Sequence, residues 1–168
     1  GDANMALQDL KDVYIDQLQD LYSADRQSMQ ITGKLADQAA DPELKAALQR
    51  GVEGIEKGKS ALETLIRGHD AEPTGEFCRG MEGLVKEADA HALKADFANE
   101  DVRDATIISQ YQRMAHYAIA GYGCCAAFAR RLGLHDEADR LQDCLDNTYH
   151  GDKEMTRIAI GGVNRDAV

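Results

Sequence analysis

The feature that most constrains the fold is a helical spacing of apolar residues that runs, almost without proline, along the whole chain. The only two prolines, Pro42 and Pro73, stand at breaks in this pattern. Between the breaks, apolar side chains recur every three to four residues, which is the spacing of one face of an α-helix. No segment alternates apolar and polar residues with a period of two, so we predict no β-sheet.

Local signals indicate where the helices begin and end. Asp41 is a predicted N-cap with Pro42 in the first helical position, and Asn99 precedes a second helix start. Gly133 marks a helix C-terminus, and Asp136 is the predicted cap of the helix that follows. The predicted helices cover residues about 5–39, 42–69, 76–94, 100–132 and 136–160.

The order of these helices predicts the architecture. The first two long helices and the last two are each separated by only a few residues, so we expect two antiparallel hairpins. The crossover of roughly thirty residues between them contains the short helix at 76–94. We therefore predict an all-α fold, in which residues 1–168 form one ferritin-like four-helix bundle with a long crossover that contains a short fifth helix.

Charge and composition exclude several classes of partner. The net charge of −11, without a cluster of basic residues, opposes binding to nucleic acid or to an anionic membrane. The N-terminal residues lack the basic region and apolar run of a signal peptide, and the uncharged stretch at 114–129 is too short to cross a bilayer. The four cysteines show no metal-site spacing. We expect a cytoplasmic protein with free thiols.

Acidic residues on the apolar faces of the helices are the candidates for chemistry, because ferritin-like bundles build di-metal sites from inward carboxylates. Asp25 lies on the apolar face of the first helix, Glu56 near the edge of that face on the second, and Asp152 on the last helix. The helix at 100–132 contributes no such acid, and the chain contains no Glu-x-x-His. These three carboxylates could hold one iron or manganese ion, or none; we assign no catalytic residue.

Lys59 lies close to the centre of the apolar face of the second helix. Its ammonium could pair with Asp25 or Asp152 and take the place of a metal ion in the core. Alternatively, the long side chain could carry the charge to the end of the bundle.

Three glycines, Gly51, Gly54 and Gly58, share one face of the second helix. Each lowers helix stability by about 0.5–1 kcal/mol relative to alanine, so the shared face requires a reason. One explanation is close packing against a neighbouring helix or subunit. The other is a pocket for a small apolar ligand, beside Gly121 and Gly123 of the helix at 100–132.

Four segments occur in the same order in one known family. They are VYIDQLQDLYSADRQ (13–27), MEGLVKEA (81–88), VRDATIISQYQRMAHYAIAGYG (102–123) and IAIGGVNRDAV (158–168). They resemble the YciE/YciF family of bacterial ferritin-like proteins, over nearly the whole chain. The resemblance implies a stress-associated cytoplasmic protein with a rubrerythrin-like bundle, and we expect a homodimer with no known protein partner.

The chain departs from the family pattern at polar positions. The resemblance implies Glu-His-Tyr-Glu where this chain has Ala115-His116-Tyr117-Ala118, and a glutamate in most relatives at Asp25. It further implies a histidine, an acid and a glutamine at the three glycines, and an acid-rich segment at 146–148, while Asp152 is kept.

These departures decide between the functions that we consider. We predict a stress-associated protein of the YciE/YciF type with a degraded or absent di-metal site and no di-iron chemistry. One alternative is a metal-dependent oxidoreductase that handles iron or peroxide and uses the three carboxylates with His116 or His150. The other is a bundle that binds a small apolar ligand between the glycine-bearing helices.

Overall fold

Six helices make up the part of the chain that the structure, a computed structural model, describes: residues 6–168. They are α1 (Leu10–Gln38), α2 (Pro42–Gly68), α3 (Arg79–Ala88), α4 (Glu100–Arg131), α5 (His135–Ile158) and α6 (Asn164–Asp166). A π-helical turn at Asp89–Lys94 extends α3, and another at Ala159–Val163 joins α5 to α6. These residues contain no strand, so the predicted all-α fold is confirmed.

Side-chain caps begin two of the long helices as predicted. The carboxylate of Asp41 accepts a hydrogen bond of 2.9 Å from the N–H of Leu44, with Pro42 in the first turn. The side-chain oxygen of Asn99 accepts one of 3.1 Å from the N–H of Val102. Each cap satisfies a backbone donor that would otherwise lack a partner at the helix N-terminus.

Several boundaries differ from the sequence pattern; the third helix, for example, begins at Arg79 rather than about residue 76. The first helix begins at Leu10, because Asp9 is its N-cap. The predicted start near residue 5 lies outside the described residues. Asp136 does not cap α5, so that prediction is wrong: the helix begins at His135, after Leu134. Gly133 has a φ of +76°, and this left-handed turn lies in the three-residue connection between α4 and α5.

The four long helices form the bundle. α1 packs against α2, and α4 packs against α5, as two hairpins; α1 also contacts α4, and α2 contacts α5. The short helix α3 lies in the crossover and packs against α1 and α4. No helix in residues 6–168 is long and apolar enough to span a membrane.

The apolar core consists of two separate clusters along the bundle axis. One contains Leu35, Leu48 and Met155, and the other contains Leu18, Leu62 and Leu141. Ridges of leucine and isoleucine from facing helices fill each cluster, which is the usual packing of an antiparallel bundle. The glycine-bearing middle of α2 lies between the two clusters, and the interior there is not filled.

Candidate functional site

A cavity of about 400 Å³ lies on the bundle axis between the two core clusters. Residues of α1, α2, α4 and α5 line it, and we call it the axial cavity. Its apolar wall consists of Ala47, Ile55, Met114, Ala115, Ala118 and Met155. Ala115 and Ala118 belong to this wall, so the two positions where the family resemblance implies glutamates now face open space.

The three glycines of α2 have two different roles. A Cβ atom at Gly51 would lie 2.7 Å from the hydroxyl of Tyr111, and one at Gly58 would lie 2.6 Å from the hydroxyl of Tyr122. Glycine at these positions therefore allows two tyrosines of α4 to pack beneath α2. At Gly54 a Cβ would meet nothing within 4 Å, and this residue lines the axial cavity. Close packing and open space both occur along one helix face.

A buried carboxyl group and a tyrosine hydroxyl meet in the axial cavity. Asp25 is only 3% exposed, and the hydroxyl of Tyr122 donates a hydrogen bond of 2.5 Å to its Oδ2. Burial raises the pKa of Asp25 to about 7, although the hydrogen bond from Tyr122 and the charge of Lys59 both lower it. Burial and the charge of Asp25 raise the pKa of Tyr122 well above its usual value.

Lys59 does not fill the axial cavity. Its Nζ lies 3.3 Å from Oε2 of Glu56, one turn away on the same helix, and half of the Glu56 side chain is exposed. The ammonium of Lys59 therefore lowers the pKa of Asp25 by its charge without contacting it, and its ion pair is with the carboxylate of Glu56 at the surface.

Asp152 also has a partner away from Asp25. Its Oδ2 lies 3.0 Å from Nε2 of His116, whose side chain is mostly exposed. Its other oxygen, Oδ1, is buried and has no hydrogen-bond partner in the described residues. The structure thus brings neither Glu56 nor Asp152 to Asp25.

The side chains on the axis do not fit a di-metal centre. Such a centre needs several carboxylates and histidines that converge on one point. Within residues 6–168, no group of three or more His, Cys, Asp and Glu side chains is arranged to hold a metal ion. His150 lines the axial cavity, but among the described residues only Asp25 contributes a buried carboxyl group there. A single ion at Asp25, Glu56 and Asp152 stays a prediction, which metal analysis tests.

Several cavity residues were not singled out from the sequence. Ser28 and Thr32 follow Asp25 at helical spacing on α1, are buried, and line the axial cavity with it. Three polar residues on one buried helix face are a signal that the sequence contains. Cys144 and the rim pair Arg50–Glu154 carry no such signal, because their placement depends on how α2 and α5 pack.

Known proteins resemble this chain in sequence and in fold. The sequence profile described as a domain of unknown function, DUF892, matches residues 9–168. "Protein YciF" of Escherichia coli K12 is 31% identical over 164 residues, which cover 97% of this chain and 98% of that protein. These matches confirm the resemblance to the YciE/YciF family.

Solved structures of two similar proteins share the fold of this chain. The crystal structure of the E. coli stress protein YciF matches with a TM-score of 0.86 and 30% identity, over 94% of this chain and 99% of that chain. A protein from Rhodopseudomonas palustris named YcfI matches with a TM-score of 0.84 and 29% identity, over 91% and 96% of the two chains. The predicted ferritin-like bundle is confirmed.

Proposed function

This chain belongs to the DUF892 family, and we propose that it is a stress-associated bundle of the YciF type that works without di-iron chemistry. The observation that carries this proposal is the wall of the axial cavity, where α4 contributes Ala115 and Ala118 instead of carboxylates. Bridged metal ions need ligands from all four helices, because several positive charges must be offset inside a dry core.

The surroundings of the three candidate ligands support the same proposal. Glu56 pairs with Lys59 at the surface, and Asp152 pairs with His116. The carboxylate of the remaining candidate, Asp25, has only the hydroxyl of Tyr122 as a hydrogen-bond donor among the described residues. One carboxyl group is too few for the six or so oxygen and nitrogen ligands that iron or manganese takes.

Metal analysis of protein purified without chelators tests the proposal. We expect far less than one equivalent of iron or manganese per chain, and the same low content in Asp25→Asn. About two equivalents per chain would contradict the proposal. Iron-dependent peroxide consumption that Asp25→Asn abolishes would favour the oxidoreductase alternative instead.

A second candidate function is the binding of a small molecule in the axial cavity. The volume of about 400 Å³ supports it, since small-ligand sites commonly measure about 300–1,000 Å³. Gly54→Leu provides the test, because a Cβ there meets nothing within 4 Å and a larger side chain would occupy the space. A compound that stabilises the wild type against heat should lose its effect in this variant; an equal effect in both would exclude the axial cavity as its site.

We further propose a cytoplasmic homodimer. The four cysteines are free, which supports a reducing compartment. Phe77, Tyr149 and Ile160 are large exposed apolar side chains, available to a second copy. Light scattering coupled to gel filtration should give twice the chain mass of 18.4 kDa; a monomer over the whole concentration range would contradict the dimer.

A further inference from the structure

Two aspartates are buried in the described residues, and their surroundings differ. Asp104 accepts hydrogen bonds from the backbone N–H groups of Ala40, at 2.9 Å, and of Asp41, at 2.8 Å. The carboxylate of Asp25 accepts a single hydrogen bond, from Tyr122, and forms no ion pair within the described part of the chain. A carboxylate in a dry interior requires a positive charge or several donors, so Asp25 has room for a cationic partner.

The charges near Asp25 leave this need unmet. Lys59, the positive charge that acts on Asp25, is paired with Glu56. At the rim of the axial cavity, Arg50 is paired with Glu154, while Glu53 and Asp143 add further negative charge beside Lys57. With a net charge of −11 on the chain, the electrostatic potential attracts cations to this opening and repels anions.

Two hydroxyl groups elsewhere in the axial cavity also lack partners. Thr32 is fully buried and lines the axial cavity, and its Oγ1 has no hydrogen-bond partner in the described residues. The hydroxyl of Tyr111, packed against Gly51, makes no hydrogen bond there either. Thr32 lies two helical turns, about 10 Å, from Asp25 along α1, so these hydroxyl groups would contact a more distant part of a bound molecule than the group at Asp25.

The rest of the wall suits a hydrocarbon body. Methionine, isoleucine and alanine side chains cover most of it, and Gly54 leaves additional space on α2. Apolar walls with a few convergent polar groups are typical of small-ligand sites. The charged group would lie at Asp25 and the apolar part against Ala115 and Ala118.

We propose that the axial cavity binds a small organic amine, whose ammonium group pairs with the carboxylate of Asp25 while its apolar body contacts the alanine wall of α4. The proposal rests on the second candidate function above, and it adds the charge and the chemical class of the ligand. A metal ion fits less well, because the single buried carboxylate of Asp25 does not complete a coordination shell.

Isothermal titration calorimetry with three probes of similar shape tests this. The probes are 2-phenylethylamine, 2-phenylethanol and 3-phenylpropionate, at slightly alkaline pH, where the amine is protonated. We expect the amine to bind at least about tenfold more tightly than the alcohol, because only the amine forms the buried charge pair. The carboxylate should give no binding heat.

Variants locate the contact. Asp25→Asn should weaken amine binding by about tenfold or more, with a much smaller effect on the alcohol. Glu53→Gln is the matched control, since this acid lies at the exposed rim of the same cavity; it should change the amine affinity by less than about threefold. Far-UV circular dichroism checks that each variant is folded.

The outcomes separate the two proposals. If the alcohol binds as tightly as the amine, or if both variants weaken the amine equally, the pairing with Asp25 is wrong, while a small-molecule cavity still stands. If none of the three probes binds the wild type, both proposals are contradicted.

Discussion

The hydroxyl group of Tyr122 on α4 donates a hydrogen bond of 2.5 Å to the carboxylate of Asp25 on α1. Both residues are almost completely buried, so water does not replace this bond. The pair lies directly beneath Gly58, where an added Cβ would come within 3.3 Å of the same carboxylate oxygen. Because Gly58 of α2 has no side chain, α1 and α4 can approach closely enough to form this hydrogen bond.

Alanine at two glycines of α2 should have opposite effects on the free energy of unfolding. Gly54→Ala should raise it by about 0.5–1 kcal/mol, because alanine favours the helix and its Cβ meets nothing within 4 Å. Gly58→Ala should lower it by about 1–3 kcal/mol, because its Cβ would lie 2.6 Å from the Tyr122 hydroxyl. Urea unfolding measures both, and equal stabilisation by the two would show that Tyr122 does not pack there.

Tyr122→Phe should lower the free energy of unfolding by about 1–3 kcal/mol, because it leaves a buried carboxyl group without its hydrogen-bond donor. The matched control is Tyr149→Phe, at a tyrosine that is 42% exposed, and this change should have little effect. A loss in the control as large as that in Tyr122→Phe would argue against a special role for the buried hydrogen bond.

The stability of the fold should depend on pH through Asp25. Burial raises the pKa of Asp25 in the folded state from 3.8 to about 7, although the hydrogen bond from Tyr122 and the charge of Lys59 both lower it. The thiol of Cys144 on α5 also interacts with this carboxyl group. Between these two pKa values the folded protein holds a proton that the unfolded chain releases. The stabilisation of the fold by this proton is therefore complete below pH 3.8 and is lost as the pH rises to about 7. The loss should amount to at most about 4 kcal/mol.

Asp25→Asn isolates this effect, since the asparagine side chain does not titrate. The difference in unfolding free energy between wild type and variant should shift in favour of the variant as pH rises from about 4 to 7. A difference that stays constant over this range would show that the carboxyl group titrates normally in the folded protein.

Thiol reagents should distinguish the four cysteines. Cys124 is exposed, Cys78 and Cys125 are buried, and Cys144 is partly buried in the wall of the axial cavity. Burial raises the pKa of Cys125 to about 12 and that of Cys144 to about 11, which slows their reaction because the thiolate is the nucleophile. We expect one fast-reacting thiol per chain, absent in Cys124→Ser; an unchanged fast phase in that variant would place the reactive thiol elsewhere.

Much of the site could be predicted from the helical spacing alone. The spacing places Asp25 and Ala115 on the inner faces of their helices, and both are buried in the structure. The spacing could not show whether the ammonium of Lys59 turns inward, because a long, flexible side chain on the apolar face can still carry its charge to partners at the surface. In the structure its partner is Glu56, one turn away.

The sequence by itself determined the helices, their order and the absence of acidic residues from the cavity-facing part of α4, because helical spacing, caps and residue identity are local properties. Only the tertiary structure decided how the space left by small residues is used. Tyrosines of α4 fill it at Gly51 and Gly58, while Gly54 opens onto a cavity that contains Asp25. The physical reason is that packing depends on side chains from helices far apart in the chain, which meet only when the bundle forms.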